Sequence, residues 1–202
     1  MEKTAYHHGD LKSALIAAAL AAVEQGGADA VSLRDLAQSL GVSRAAPYRH
    51  FPDRNALLAA VAARGFEDLI VIYETAGMGP GDGRERLRQG MRGYMAFARQ
   101  RPGLHALMFD SDLLRGKPPD VLLGPAERAY ELLWRGIEAA FPDADQRWVR
   151  ARTVTMMSTV VGYQMLDNVE RFRPHMIEPL TRDDLLEAVL EAAIGPAPEP
   201  AG

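Results

Sequence analysis

The sequence predicts an all-α protein with two helical domains, and three observations carry this prediction. Apolar residues recur at spacings of three and four along most of the chain, as one buried helix face requires. Segments rich in β-branched and aromatic residues are few, which argues against a sheet. Glycines and prolines interrupt the pattern about once per helix length. The chain has 202 residues and no cysteine, so disulfides, thiolate nucleophiles and cysteine-ligated zinc are excluded.

The first helix is predicted from about Asp10 to Gln25, and Gly26-Gly27 should end it. Its apolar residues repeat at helical spacing, which favours an amphipathic helix over the secretory signal peptide that this short apolar run superficially resembles. The preceding His7-His8 pair is interpreted as a solvated tail, because two adjacent histidines without further ligands rarely hold a metal.

Two short helices joined by a tight turn are predicted next. Ser32 should cap the second helix, in a segment Ser32–Asp35 of capping-box form. Gly41 should end that helix, and Ser43 should cap a third one from Arg44 to about Phe51. A glycine-containing turn between two short helices is the pattern of a helix-turn-helix, whose second helix enters the major groove of DNA. By itself such a turn also arises by chance in helical proteins.

The residues of the third helix suit contact with DNA. Arg44 can pair with guanine through two hydrogen bonds, and Ala45 and Ala46 let the backbone approach the bases or contact a thymine methyl. Tyr48, Arg49 and His50 follow on or near the exposed side, where they can reach phosphates or bases.

The region Asp10–Arg64 resembles the N-terminal domain of the TetR family of bacterial regulators. The resemblance rests on four segments of fixed spacing: Ser32–Ala37, Leu40–Ser43, Tyr48–Arg54 and Leu57-Leu58. It implies base contacts from Arg34 and from the Arg44–Ala46 segment, and phosphate contacts from the cap before the second helix and from Arg54. The expected DNA-contacting residues are therefore Ser32, Arg34, Ser43, Arg44, Ala45, Ala46, Tyr48, Arg49, His50 and Arg54.

Pro47 departs from the family pattern, which often has leucine or another aliphatic residue there. A proline at this position deletes the first intrahelical hydrogen bond and crowds the preceding turn. We interpret it as an apolar packing residue near the helix start; the alternative is that it changes the base-reading geometry and so the DNA specificity.

The rest of the chain is predicted to continue as helices. A fourth helix from about Arg54 to Ala76, capped by Asp53, leads to a glycine-rich break at 77–83. Further helices are expected at about 84–100, 102–110, 119–140 with Pro125 as a candidate break, 144–170 and 181–193. The predicted domains are a helix-turn-helix DNA-binding domain over 1–64 with a connecting helix to about 76, a ligand-binding and dimerisation domain over 83–194, and a disordered tail over 195–202.

The net charge of −4 is unevenly distributed: residues 1–64 carry a net charge of +1 and the remainder −5. Attraction to DNA phosphates must therefore come from a local patch in the first third. The cluster Arg84, Glu85, Arg86 and Arg88 is interpreted as a solvated helix face. No segment is long and apolar enough to span a membrane, and a cytoplasmic location is expected.

The resemblance implies a homodimer through the helices at about 144–170 and 181–193. Their apolar residues suit either an interface or the intramolecular core: Met156, Met157, Val160, Val161, Leu185, Leu186, Val189 and Leu190. A small apolar or aromatic effector is expected in an adaptable pocket, with Arg101 and His105 as candidates for its polar end. The candidate lining residues, each of which also suits ordinary core packing, are Met91, Tyr94, Phe97, Leu107, Met108, Trp134, Met157, Tyr163 and Met165.

The predicted function is a ligand-responsive transcriptional regulator, a repressor by resemblance, that binds a palindromic operator as a dimer and is released by its effector. No cofactor or metal is expected. The alternative is an all-helical enzyme or small-molecule-binding protein without DNA binding. No metal-binding HExxH motif, glycine-rich phosphate loop or spaced nucleophile–base pair supports the enzyme.

Overall fold

The computed structural model describes residues 8–114 and 119–197, and that part of the chain contains helices and turns but no strand. The predicted all-α class is confirmed. The side chains of His7 and His8 and residues 198–202 of the predicted tail lie outside the described part. The α-helices are α1 (His8–Gly26), α2 (Leu33–Ser39), α3 (Arg54–Gly77), α4 (Gly83–Gln100), α5 (Pro102–Phe109), α6 (Asp120–Ala140), α7 (Gln146–Asn168), α8 (Pro174–Ile177) and α9 (Arg182–Ile194).

Most predicted helices begin and end within a few residues of the observed ones, and two places differ outside the helix-turn-helix. The predicted break at Pro125 is wrong, because α6 runs through that proline. Pro125 deletes the hydrogen bond that an amide there would donate to the Val121 carbonyl, and the helix continues past it. The short helix α8 was not predicted.

The chain divides into two compact units. The first joins Met1–Phe66 with Arg101–Ala126, and the second joins Glu67–Gln100 with Glu127–Gly202. Helix α5 therefore belongs to the same unit as the predicted DNA-binding helices, although the sequence places it beyond the predicted boundary near residue 64.

The core of the first unit is built on α1 and the beginning of α3. Leu11, Leu15, Ala19 and Val23 are buried at a spacing of four, so one face of α1 is fully covered. Residues 57–63 of α3 are all buried, which makes this segment the centre of the unit.

Helix α5 is fixed to α1 by one carboxylate. Glu24 Oε2 accepts a hydrogen bond from the amide of Gly103 at 3.0 Å, and Oε1 accepts one from the amide of Leu104 at 3.2 Å. These amides belong to the first turn of α5, where backbone N–H groups have no partner within the helix. The approach needs glycine, because a Cβ on Gly103 would stand 2.4 Å from the carbonyl oxygen of Val23.

The second unit packs α4, α7 and α9 against one another. Met91, Tyr94, Met156, Val160 and Leu190 are among its buried residues. Of the candidate interface residues, Met156, Val160 and Leu190 are therefore intramolecular core. The others, Met157, Val161, Leu185, Leu186 and Val189, are only half-buried.

Ion pairs join α4 to α9 on the surface of the second unit. Arg92 donates two hydrogen bonds to the Glu187 carboxylate, at 2.9 and 2.8 Å, and Arg88 pairs with Glu191. Gly195, the first residue of the predicted tail, is buried, and its carbonyl accepts a hydrogen bond from Arg84 at 2.9 Å. The interpretation of Arg84, Glu85, Arg86 and Arg88 as a solvated face is thus wrong, since all four are half-buried. None of the described helices has the length and apolar character needed to cross a membrane.

Candidate DNA-binding site and effector cavity

The turn of the helix-turn-helix is a Schellman motif at the end of α2. The amide of Val42 donates to the carbonyl of Ala37 at 3.0 Å, and the amide of Gly41 donates to Gln38 at 3.2 Å. This pair of bonds satisfies carbonyls at the helix end and requires a left-handed residue, which Gly41 supplies with φ +67°. The predicted helix stop at Gly41 is therefore confirmed in detail.

The segment after the turn is not the predicted α-helix from Arg44 to Phe51. It is a turn over 44–46 followed by a 3-10 helix, Pro47–Arg49. The amide of Ala46 donates to the Ser43 carbonyl at 2.9 Å, and the amide of His50 donates to Pro47 at 3.0 Å, both three residues back. Pro47 explains the difference, because it has no N–H for the bond that an α-helix would make to Ser43. We call residues 43–51 the recognition segment.

Two buried residues fix the recognition segment on the first unit. Pro47 is buried, as the packing interpretation predicted, and Phe51 is 4% exposed. The Phe51 amide donates to the Pro47 carbonyl at 2.9 Å, so the two anchors are also joined through the backbone. Pro47 thus packs inward and also reshapes the first turn, which combines both interpretations made from the sequence.

The opposite side of the recognition segment is open to solvent. Arg44, Ala45, Tyr48 and Arg49 are exposed, and the Tyr48 side chain is 55% exposed although it is aromatic. Ala46 and His50 are half-buried. The surface offers two guanidinium groups and one phenol beside a small residue, a chemistry that suits phosphates and base edges.

Ser32 and Arg34 lie at the start of α2. Ser32 caps the helix, and its hydroxyl accepts a hydrogen bond from the Asp35 amide at 3.3 Å, as predicted. Arg34 is exposed in the first turn of α2.

Arg54 has a structural role that the sequence did not reveal. Its Nε donates to the Val31 carbonyl at 3.1 Å, and Nη2 donates to the carbonyl of Ala28 and to the Asp29 carboxylate. The guanidinium therefore holds the 3-10 turn Ala28–Ala30 against the start of α3. The pairing of residues 25 positions apart leaves no periodic signal in the sequence.

The second unit contains a cavity of about 570 Å³. This lies within the range of pockets that hold small organic ligands. Its walls come from the end of α3, one face of α4 and the second half of α6. The lining residues are Tyr73, Glu74, Ala76, Gly77, Met78, Gly83, Arg86, Leu87, Gly90, Met91, Leu132, Leu133, Arg135, Gly136 and Ala139.

Of the predicted ligand-lining residues, Met91 borders this cavity and the others do not. Leu107 and Met108 are buried in the first unit, on α5. Tyr94, Phe97 and Tyr163 are buried in the second unit, whereas Trp134, Met157 and Met165 are half-buried there. Arg101 and His105 belong to the first unit and are not among the residues that line this cavity. The small lining residues were not predicted from the sequence, because glycine and alanine have no side-chain chemistry that marks a pocket.

A helix-turn-helix on an all-helical chain, with solvent-facing arginines and a tyrosine beside its turn, defines a DNA-binding regulator. Models of two families agree with this class. One, described as bacterial regulatory proteins of the tetR family, matches residues 15–61. The other, described as the tetracyclin repressor-like C-terminal domain, matches residues 87–193. The chain belongs to the TetR family of DNA-binding transcriptional regulators, and it is a regulator rather than an enzyme.

Individual relatives show where the likeness is strong. The nucleoid occlusion factor SlmA of Vibrio vulnificus is 39% identical over an alignment 105 residues long, and the match covers 45% of this chain and 50% of that protein. SlmA of Escherichia coli O1:K1 is 33% identical over an alignment 97 residues long, and the match covers 45% of this chain and 49% of that protein. The chain thus spans about half the length of the curated relatives it matches.

Solved structures resemble the chain over nearly its whole length. A protein with unknown function from Rhodococcus sp. RHA1 has a TM-score of 0.78 and 28% identity, covering 95% of this chain and 97% of that one. The TetR family transcriptional regulator PfmR from Thermus thermophilus has a TM-score of 0.63 and 21% identity, covering 89% and 96%. The second likeness shows the fold alone.

Proposed function

We propose that the chain is a ligand-responsive repressor that binds a palindromic operator as a homodimer and leaves it when an effector occupies the cavity of the second unit. The observation that carries the proposal is the recognition segment. Its two buried anchors, Pro47 and Phe51, present Arg44, Tyr48 and Arg49 to solvent in one fixed arrangement. A rigid presentation of base-reading groups is what sequence-specific DNA binding requires.

The residues of this surface are assigned either to the base edges of the DNA or to its phosphates. The turn over 44–46 is assigned to base edges, together with Arg34 on α2. Tyr48, Arg49 and His50 are assigned to phosphates or neighbouring bases, and the caps Ser32 and Ser43 to phosphates. Arg54 is committed to the turn Ala28–Ala30, so any phosphate contact from it would use the remaining nitrogen.

Dimerisation is proposed through α7 and α9. One recognition segment buries too little surface for tight and specific binding, so such readers generally pair. Exposed apolar side chains lie on α7 and at its end: Val154 is 58% exposed, Leu166 47%, and Val169, the residue after the helix, 63%. An exposed apolar surface of this kind suits a two-fold interface, in which the same surface of both copies meets.

Effector control is proposed as a shift between two states of the dimer. An effector lowers DNA affinity only to the extent that it binds the non-DNA-binding state more tightly. The cavity has the volume for a small organic molecule, and Leu87, Met91, Leu132 and Leu133 give it apolar walls. Because such a regulator acts on chromosomal DNA, we propose that it works in the cytoplasm.

The proposal is tested by selecting binding sites from random double-stranded DNA with the full chain. We expect an enriched palindrome with half-sites about one helical turn apart, and sedimentation should show a dimer at micromolar concentration. Enrichment of a single unpaired half-site by a monomer would refute the proposed dimer. No enrichment of any sequence would refute operator recognition.

A second candidate function is nucleoid occlusion, which the identity of 33–39% to SlmA proteins supports. The two functions predict different results in a cell that lacks the chain. Loss of a repressor changes the transcripts of genes next to its binding sites. If those transcripts stay constant while division occurs over the nucleoid, the second function is favoured.

A further inference from the structure

We infer that the cavity of the second unit takes an amphipathic organic anion, with its acidic group held by Arg86 and Arg135 and its apolar body between α3, α4 and α6. The inference rests on the proposed effector site and names the chemistry of its ligand. It commits to a negatively charged head at Arg86 and Arg135, whereas the sequence predicted an apolar or aromatic effector whose polar end would meet Arg101 and His105.

Arg86 belongs to the cavity-facing stripe of α4. The lining residues on that helix are Gly83, Arg86, Leu87, Gly90 and Met91, which follow the three-and-four spacing of one helix face. Among the described residues no carboxylate forms an ion pair with Arg86. Its neighbour Arg88, by contrast, is paired with Glu191 on α9. A half-buried guanidinium without an internal partner favours an anionic ligand.

Arg135 lies at the same end of the cavity as Arg86. The chains of α4 and α6 meet at Gly83, where an added Cβ would stand 2.0 Å from the Ala139 carbonyl oxygen. Arg86 is three residues after that contact and Arg135 four residues before it, so each lies about one helical turn, roughly 5 Å, from it. Arg135 also pairs with Glu131 on its own helix, and that pair is exposed enough to exchange partners.

Glu74, the acidic lining residue, does not oppose this charge. Its carboxylate pairs with Arg128 at 3.2 Å, and Arg128 lies two turns before Arg135 on α6, a distance of about 10 Å. The Glu74 carboxylate therefore has its own basic partner, Arg128, which it shares with Glu131. Tyr73 borders the same region, and burial raises the pKa of its phenol, so the hydroxyl stays neutral.

The remaining wall from α4 and α6 is mostly apolar. Leu132, Leu133 and Met91 supply side chains, and Gly90 and Gly136 bring helix backbone to the wall, where an added Cβ would already be in van der Waals contact with neighbouring side chains at 3.6 Å and 3.5 Å. A flat apolar or aromatic body fits beside glycines, because they bring helix backbone within contact distance without a side chain.

Calorimetric titration of the full chain with three matched probes tests the inference: 2-naphthoate, 2-naphthalenemethanol and 2-naphthylmethylammonium. We expect naphthoate to bind at least about tenfold more tightly than the neutral alcohol, because hydrogen bonds between charged groups contribute a free energy of that size. The cation should bind most weakly. Arg86→Gln should remove the preference for the anion and leave binding of the alcohol unchanged. Arg147→Gln, an exposed arginine on α7 outside the cavity, is the matched control and should change neither. Gly136→Leu should weaken all probes by filling the cavity.

Each result bears on the inference separately from the proposed function. Equal or tighter binding of the neutral alcohol, an unchanged preference in Arg86→Gln, or no binding of any probe at millimolar concentration would overturn the anionic ligand. Release of operator DNA by the neutral alcohol would then still support effector control. If naphthoate binds through Arg86 yet leaves DNA binding unaltered, the inference stands and the proposed effector control fails.

Discussion

The carbonyl oxygen of Ser43 accepts a hydrogen bond from the amide of Ala46, three residues further on, at 2.9 Å. In an α-helix it would accept from residue 47, but that residue is proline and has no N–H. The segment that should enter the major groove therefore begins as a tight turn and continues as a 3-10 helix. Its side chains point in different directions from those of an α-helix with the same sequence.

Replacing Pro47 by leucine should change which operator bases are preferred. Leucine keeps an apolar residue at this buried position and restores the amide that an α-helix needs. The directions of Arg44 and Ala45 should then shift, and discrimination at the bases they contact should change by about tenfold, the value of one good base contact. Sites selected from random DNA by the two proteins provide the measurement, with exposed Pro52→Ala as control. Identical selected sites for Pro47→Leu and the parent chain would show that the proline only packs.

Replacing Arg54 by lysine should destabilise the chain even though it keeps the positive charge. Lysine cannot match the guanidinium that bonds to the carbonyls of Val31 and Ala28 at once. The Arg54 side chain is 38% exposed, so solvent weakens its ion pair to Asp29. We therefore expect the free energy of unfolding to fall by about 1–2 kcal/mol from the loss of the backbone bonds alone. Denaturant unfolding measures it, with Arg49→Lys as an exposed control. An unchanged stability in Arg54→Lys would mean that the charge, not the fork of bonds, is what matters.

Replacing Glu24 by alanine should loosen α5. The variant leaves the amides of Gly103 and Leu104 without their acceptor, and loss of such a cap costs about 1 kcal/mol. Amide hydrogen exchange over Pro102–Phe109 should become faster than in the parent chain. Gln25→Ala, an exposed neighbour on the same helix, is the control and should leave that exchange unchanged. Equal protection of α5 in the Glu24→Ala chain would show that apolar packing alone holds it.

Stability should fall in acid through His105. Burial lowers the pKa of this imidazole to about 4, below its ordinary value near 6.5. The unfolded chain therefore takes up a proton at this histidine at a higher pH than the folded chain does. The stability that goes with the neutral, buried imidazole is fully present above about pH 6.5 and is lost progressively as the pH falls to about 4. The loss should reach roughly 3 kcal/mol at most, given 1.36 kcal/mol for each pKa unit.

Unfolding free energies between pH 4 and pH 7 test this expectation. The His105→Leu variant should show a shallower dependence on pH, whatever its stability at neutral pH. His175→Gln, at an exposed histidine on α8, should keep the parent slope. If the His105→Leu variant keeps the pH dependence of the parent chain, the buried imidazole is not the cause of the loss of stability in acid.

The helices and the helix stop at Gly41 could be predicted because their signals are local. Apolar spacing, capping serines and glycines act within a few residues, and the structure follows them closely. The shape of the recognition segment was harder, since one proline changed it while the surrounding motif still indicated an α-helix. The sequence contained the reason, but its consequence depended on Pro47 and Phe51 both being buried.

The cavity and the contacts of Arg54 could not be predicted because they join residues far apart in the chain. Arg86 was interpreted as part of a solvated charge cluster, since nothing local separates it from Arg88, which pairs with α9. Aromatic and methionine residues were chosen as pocket candidates, but most of them pack in the cores. The wall on α4 and α6 instead includes Gly90 and Gly136, which have no side chain that could mark a pocket in the sequence.

The most direct test of the central claim is the DNA affinity of the Tyr48→Ala chain. Tyr48 is exposed at the recognition segment, so its loss should leave the unfolding free energy unchanged within about 0.5 kcal/mol. Fluorescence anisotropy with the selected operator, over a salt series, should show at least tenfold weaker binding by the variant, and binding by the parent chain should weaken steeply with salt. Val71→Ala, another exposed apolar position, is the control and should bind as the parent does. Equal affinity of the Tyr48→Ala and parent chains would contradict the account of how this regulator reads DNA.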